Sequence, residues 1–119
     1  MARLIDAYAT EAGMTTETHF SVGEIVHHIK FGYRGVIIAV DPVFAGTDEW
    51  YANVAQSRPP KDRPWYHVLV DGESHGTYVA ERHLENDTSG QPIEHPELER
   101  HFDQFVNGRY VRHGDTRAH

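Results

Sequence analysis

Two segments constrain the fold of this chain most, residues 31–38 (Phe-Gly-Tyr-Arg-Gly-Val-Ile-Ile) and residues 64–72 (Pro-Trp-Tyr-His-Val-Leu-Val-Asp-Gly). Both are rich in aromatic and β-branched residues, and glycine, proline or aspartate flanks each of them. This composition is typical of strands that end in tight turns. Neither segment places a nucleophile beside a base, and neither forms a glycine-rich phosphate loop. They predict the walls of a small β-barrel and therefore favour a binding module over an enzyme.

Strand and turn signals elsewhere in the chain extend this mainly β prediction. Strands are expected around residues 20–28, 36–40, 65–70 and 77–80, followed by a short turn over residues 81–84. The stretch from Val43 to Arg63 contains three glycine or proline residues and is predicted to be a long irregular excursion. Trp50 and Tyr51 within it are expected to pin it back onto the barrel.

The C-terminal part carries a different pattern. Leu98, Phe102 and Phe105 recur at i, i+4 and i+7 and form one stripe of a helix, which Asn107-Gly108 would stop. The tail is therefore predicted to be a helix, from Pro96 to Phe105, that packs its stripe on the barrel. The chain divides into an N-terminal extension over residues 1–19 (a short helix or disordered), a barrel domain over 20–88 and a helical tail over 89–119.

Composition narrows the classes of function. A chain of 119 residues fits a single core. It contains no cysteine, which excludes disulfides, thiolate zinc sites and a cysteine nucleophile. The formal net charge of −7 opposes non-specific association with nucleic acid. No apolar run has the length of a signal peptide or a membrane span, so a cytoplasmic location without a membrane partner is expected.

The candidate binding residues are the basic, aromatic and histidine side chains of the predicted barrel. Basic groups that gather on one face would contact phosphates, whereas scattered ones would be ordinary surface charges. Trp65 is expected in the core. Three placements remain open for the Tyr66 ring: in the core, stacked on a base, or at a subunit interface. The candidates for a DNA or partner contact are Lys30, Tyr33, Arg34, Arg58, Lys61, Arg63, Tyr66, His67 and Arg82.

Three histidines of the barrel raise the question of a metal site. His28, His67 and His83 would have to converge, and no pair has the close spacing of a strong metal motif. Hydrogen-bonded structural histidines are therefore favoured, and no metal, cofactor or catalytic residue is predicted.

Several blocks of sequence, taken in order, resemble the YccV-like domain, which is the hemimethylated-DNA-binding or heat-shock-protein HspQ family. They cover about residues 20–85, and Trp65-Tyr66-His67 is the most specific of them. The resembling blocks are Val22–His28, Phe31–Ile37, Asp41-Pro42, Pro64–Val70 and Tyr78–Leu84. Residues 93–98, Phe102 and Tyr110 are similar to the tail of longer members, including a copy in a eukaryotic F-box protein.

The resemblance implies a small, partly open barrel of SH3-like character that self-associates, as a trimer or a dimer. Members of the family are described as binding hemimethylated DNA near the replication origin and as lowering the level of the replication initiator. They are also described as specificity factors for the Lon protease. The resemblance implies no catalytic residue.

Three classes of function remain open at this point. The first is a non-enzymatic, DNA-associated regulatory module that influences turnover of the replication initiator, and the family supports it. The second is a protein-interaction adaptor or a specificity factor for a Lon-type protease in the stress response, and the acidic net charge favours it. The third is a small hydrolase or metal enzyme, for which the sequence carries no motif.

Overall fold

The computed structural model of the protein describes residues 18–113. Nearly all of the predicted N-terminal extension, including its proposed short helix, lies outside the described residues. The described part is mainly β, as predicted, with seven strands. These are β1 (Ile25–His28), β2 (Arg34–Asp41), β3 (Trp65–Val70), β4 (Gly76–Ala80), β5 (Leu84–Asn86), β6 (Phe102–Val106) and β7 (Arg109–Arg112). The helices are α1 (Asp48–Val54) and α2 (Leu98–His101), and a 3-10 turn spans Glu81–His83.

Strands β1 to β5 form one antiparallel sheet in the order β4-β3-β2-β1-β5. The three-residue 3-10 turn connects β4 at one edge to β5 at the other, so the sheet must curl into a barrel-like shape. A bulge between Ile37 and Ala39 in β2 adds a local kink that supports this curl. Strands β4 and β5 do not pair with each other in residues 18–113, and the barrel is therefore partly open.

Side chains alternate between the two faces of the curled sheet, as the pleat of a strand requires. Tyr66 and Val68 of β3 point to the inner face and are fully buried there. The inner core consists of Phe20, Val26, Ile37, Tyr66, Val68, Val79 and Leu84. Trp65 of β3 is buried on the outer face, as expected of a core residue, so the two neighbouring rings point in opposite directions.

The outer face of the sheet is covered at two places. The C-terminal hairpin of β6 and β7 covers one of them, where Phe102 and Tyr110 pack on Val36 and Leu69. Helix α1 and the loop before it cover the other, where Trp50, Tyr51 and Phe44 pack around Trp65. The predicted anchoring role of Trp50 and Tyr51 is confirmed.

The predicted C-terminal helix from Pro96 to Phe105 is wrong in extent. Only Leu98–His101 is helical, and the chain then continues as the hairpin β6-β7. Asn107 and Gly108 both have positive φ values, 53° and 78°, which is the backbone of a tight hairpin turn rather than a helix stop. The apolar stripe nevertheless packs as expected, because Leu98, Phe102 and Phe105 all reach the outer core.

The prediction that residues 43–63 lack regular structure is also wrong, since α1 lies within them. Thr47 caps this helix, and its Oγ1 accepts a hydrogen bond from the backbone N–H of Trp50 at 3.0 Å. Asp48 and Glu49 occupy the first turn, where the helix dipole favours negative charge. None of the helices described in residues 18–113 is long and apolar enough to cross a membrane.

Candidate functional site

A groove runs along β4, the edge strand of the sheet. All five residues of β4 line it, from Gly76 to Ala80. The turn after β1 forms one wall and α1 with the residues after it forms the other. Its cavity volume is about 810 Å³. This size lies in the range of small-ligand and cofactor sites.

Three stacked rings form the wall that follows β1. The imidazole of His28 lies parallel to that of His83, with ring centres 5.6 Å apart, and stacks on Phe31 at 4.7 Å. His28 is buried, whereas Phe31 is 70% exposed. The stack therefore begins inside the protein and ends in an aromatic ring that faces solvent.

His28 also fixes the turn that carries this exposed ring. Its Nδ1 accepts hydrogen bonds from the backbone N–H groups of Lys30 and Phe31, at 3.2 and 3.0 Å. Burial lowers the pKa of His28, and the neighbouring His83, His27 and Lys30 lower it further. The neutral imidazole is the form that can accept both bonds, so the shift and the geometry agree.

Part of the groove is built on a shared carboxylate. Asp41 Oδ2 accepts a hydrogen bond from the Tyr78 hydroxyl at 2.6 Å and lies 3.1 Å from His67 Nε2. Burial and the bond to Asp41 raise the pKa of Tyr78 to about 12. Burial opposes ionisation of Asp41, but the bonds from Tyr78 and His67 hold its pKa below the ordinary value. These groups position the rings of Tyr78 and His67, which line the groove.

Lys30 lines the groove and Arg58 and Arg82 adjoin its lining residues, whereas Lys61 lies on the ring of Tyr51, which does not line it. Lys61 Nζ and Arg58 Cζ lie 4.3 and 5.8 Å from the centre of the Tyr51 ring. Arg82 donates a hydrogen bond of 2.8 Å to the Ser57 carbonyl, and Ser57 Oγ lies 3.0 Å from His83 Nε2. Lys30 lines the groove beside His83. Burial lowers the pKa of His83, and the charges of Arg82 and Lys30 lower it further.

The groove differs in charge from the chain as a whole. The chain has 18 acidic against 11 basic residues, yet no Asp or Glu of the described residues lines the groove. Asp48 pairs with Lys61 at 3.4 Å outside the groove, but this carboxylate is 98% exposed and the pair is weak. Aromatic walls with cationic edges can bind an anion that has a flat or apolar part.

Five of the nine predicted site residues lie at this groove. Lys30, Tyr33 and His67 line it, and Arg58 and Arg82 lie at its rim beside the lining residues Ser57 and His83. Lys61 lies outside it, on the ring of Tyr51. Arg63 is exposed in the loop before β3, two residues after Lys61.

Arg34 and Tyr66 do not belong to the groove, and both have structural contacts. The Arg34 guanidinium lies 3.1 Å from carboxylate oxygens of Asp71 and of Asp87 and donates to the Gln91 carbonyl at 2.6 Å. Tyr66 is fully buried, and its hydroxyl donates to Glu81 at 2.6 Å. Of the readings open for Tyr66, the structure supports core packing, because no face of the ring is accessible to a base.

Phe31, Trp50 and Tyr78 are groove residues that were not among the predicted ones. Phe31 lies between Lys30 and Gly32 in the turn after β1, and connecting segments run over the surface, so its position was the available signal. His28 and His83 stack on each other, whereas His67 lies beside Asp41. Residues 18–113 contain no cluster of three or more histidine or acidic side chains that could hold an ion.

Comparison with known proteins identifies the family. The profile described as "Hemimethylated DNA-binding protein YccV like" matches residues 18–109, which includes every residue of the groove and its rim. The chain belongs to the YccV-like family. This confirms the resemblance seen in the blocks around Trp65-Tyr66-His67.

Curated relatives place the same domain in a larger protein. Residues of this chain are 34% identical over 94 residues to F-box only protein 21 of Pongo abelii and of Homo sapiens, and 33% identical to that of Mus musculus. The matched region covers 77% of this chain but 15% of each relative. The similarity therefore concerns the YccV-like domain and not the rest of those proteins.

Proposed function

We propose that this chain is a non-enzymatic regulatory module that binds DNA through the rim of the β4 groove. The observation that carries the proposal is that Lys30, Arg58 and Arg82 line or adjoin one groove that no carboxylate of the described residues lines. Membership in a family described as binding hemimethylated DNA supports the same reading. The cations act as phosphate contacts, which position a protein on DNA.

The acidic net charge limits DNA binding to a small number of local phosphate contacts. The net charge of the whole chain is −7, rim cations included, and it repels a phosphate backbone. Binding therefore depends on a few local contacts, and each one releases a condensed counterion. Three phosphate contacts give a slope of log affinity against log salt concentration of about −3.

The finer proposal is that the module distinguishes hemimethylated DNA from the other methylation states. The family description supports this preference. Purified protein is titrated with one duplex in its hemimethylated, fully methylated and unmethylated forms, over a salt series near pH 7.5. Tighter binding to the hemimethylated form is expected. Equal affinities for the three forms would contradict the finer proposal, and absence of binding to all three would contradict the DNA-binding function.

Paired variants test where the phosphates bind. The double variant Lys30→Gln/Arg82→Gln removes two rim charges and is expected to reduce the salt slope by about 2. The matched control Arg100→Gln/Arg112→Gln removes two exposed arginines that lie on α2 and β7, away from the groove. An unchanged slope in the rim variant, or an equal loss in the control, would show that the rim is not the contact surface. Thermal unfolding of each variant checks that the fold is retained.

A second candidate function is a cytoplasmic protein adaptor that presents a substrate to a Lon-type protease or affects turnover of the replication initiator. Phe31 and Val54, which are 70% and 55% exposed at the groove, favour it, because exposed apolar side chains often mark protein contacts. It predicts capture of a protein partner that Phe31→Ala abolishes and that excess DNA does not displace. Self-association as a trimer or dimer belongs to this proposal, and the sedimentation equilibrium of the free protein tests it.

A further inference from the structure

We infer that the β4 groove holds one unpaired nucleotide of a DNA strand, with its base stacked on Phe31 and its phosphate beside Lys30 and Arg82. This inference rests on the proposed DNA-binding function and assigns a specific ligand to the same groove. The observations that carry it are the ring stack, the charge of the groove and its size.

The ring stack gives a base a place to bind. His83, His28 and Phe31 form a continuous pile of flat groups, and Phe31 at its end is 70% exposed. A phenylalanine so placed gains little from burial in the free protein. A base stacked on it would bury the ring and extend the pile by one member.

The turn holds the exposed ring in place before any ligand binds. The two backbone bonds to His28 Nδ1 fix the positions of Lys30 and Phe31 relative to the buried imidazole. Lys30 Nζ lies 5.6 Å from the centre of the Phe31 ring. A nucleotide that stacks on the ring therefore has a cation within reach of its phosphate, once the flexible Lys30 side chain moves from over the ring to its edge.

The composition of the groove favours a nucleotide over other ligands. Rings of Trp50, Tyr78 and His67 line the remaining length. The Asp41 carboxylate contacts Tyr78 and His67 but does not line the groove, and no other carboxylate of the described residues does. Gln56 and Ser57 add groups that can form hydrogen bonds to a base edge. A cavity of about 810 Å³ has room for a single nucleotide.

A base inside a duplex cannot make this contact. Its two faces are covered by the neighbouring base pairs, so it must leave the stack before one face can meet Phe31. The inference therefore predicts a preference for single-stranded over fully paired DNA of the same sequence. A duplex that binds through this groove must present one nucleotide outside the stack.

The test uses the full chain with a single-stranded oligonucleotide, the matched duplex and free deoxyadenosine monophosphate. Both DNA ligands carry 2-aminopurine, whose fluorescence reports whether the base is stacked. Phe31→Ala is expected to weaken single-strand binding about 5- to 100-fold without changing the salt slope, because stacking releases no counterion. Phe31→Trp should retain the affinity. The matched control Ile29→Ala, an exposed apolar residue of the same turn that does not line the groove, should not change it.

The outcomes separate this inference from the proposed function. If the wild type binds no DNA, the proposed function is wrong and the inference falls with it. A second outcome is that the wild type binds DNA with the expected salt slope, but Phe31→Ala binds the single strand and the duplex as tightly as the wild type does. If 2-aminopurine fluorescence also stays unchanged on binding, only the inference is overturned. Binding of the free nucleotide as tightly as the strand would overturn the assignment to a DNA strand. An acidic peptide that binds in a Phe31-dependent manner while DNA does not would assign the groove to a protein partner.

Discussion

Arg34 is expected to stabilise the fold rather than to contact DNA, and Arg34→Ala tests this. Its guanidinium joins Asp71, at the end of β3, to Asp87 and the Gln91 carbonyl, at the start of the segment that leads to the C-terminal hairpin. The side chain is 23% exposed, and those of Asp71 and Asp87 are 28% and 10% exposed. The variant would leave both carboxylates and the carbonyl without this donor.

The expected loss follows from these exposures. Leaving the nearly buried Asp87 without its cation costs about 1–3 kcal/mol, and the more solvated pair with Asp71 adds up to about 1 kcal/mol. The sum of about 1–4 kcal/mol would lower the urea midpoint by on the order of 1–3 M for a domain of this size. Burial opposes ionisation of Asp87, but Arg34 and Ser89 hold its pKa below the ordinary value of 3.8. This contribution is therefore full above pH 3.8 and is lost as the pH falls through the folded pKa.

Urea unfolding at pH 7 measures the effect, with Arg63→Ala as the matched control. Arg63 is an exposed arginine of the loop before β3 and should change stability by less than about 0.5 kcal/mol. DNA affinity of the folded Arg34→Ala protein is expected to remain close to that of the wild type. Unchanged stability together with lost DNA binding would refute the structural role and restore Arg34 to the binding site.

Three other predictions concern the core and the groove. Gly23→Ala should lower the free energy of unfolding, measured in urea, by about 2–4 kcal/mol. The reason is that Gly23 has a φ of 97° and that a Cβ atom there would lie 2.1 Å from the Tyr110 carbonyl oxygen. Wild-type stability of the variant would contradict this close approach. Tyr66→Phe should lower the free energy of unfolding by about 1–3 kcal/mol, because it removes the hydroxyl that donates to Glu81. Unchanged stability would contradict that hydrogen bond. The folded pKa of His28 is below 6.5, so the free energy of unfolding should fall as the pH drops from 6.5 through the folded pKa, since the unfolded chain binds the proton more readily. His28→Gln should flatten this pH dependence, and an equally steep one would assign it to other groups.

The strands of the barrel could be predicted well because their signals are local. β3 runs from Trp65 to Val70 as expected, since aromatic and β-branched residues lie between a proline and Asp71-Gly72. The structure of the tail could not be predicted in this way. The spacing of Leu98, Phe102 and Phe105 is compatible with a helix and also with a hairpin whose aromatic rings pack on a sheet. The deciding signal was Asn107-Gly108, which supplies the two positive φ values of a tight hairpin turn.

The residue types of the site could be predicted, but their division into groove and scaffold could not. Lys30 and Arg34 lie four positions apart on either side of one turn, and nothing local tells them apart. The carboxylates that bind Arg34 are 37 and 53 positions further along the chain. Only the folded sheet brings Asp71 and Asp87 to that side of the barrel and leaves the side of Lys30 without them.

The most direct test of the proposed DNA-binding face is a nuclear magnetic resonance titration of isotope-labelled protein with hemimethylated duplex. The largest amide shifts are expected in the turn at Lys30 and Phe31 and in the rim at Ser57 and Arg82. Smaller shifts should follow β4. Shifts confined to the hairpin β6-β7, or to the surface around Arg34, would contradict the assignment of the groove as the DNA-binding site.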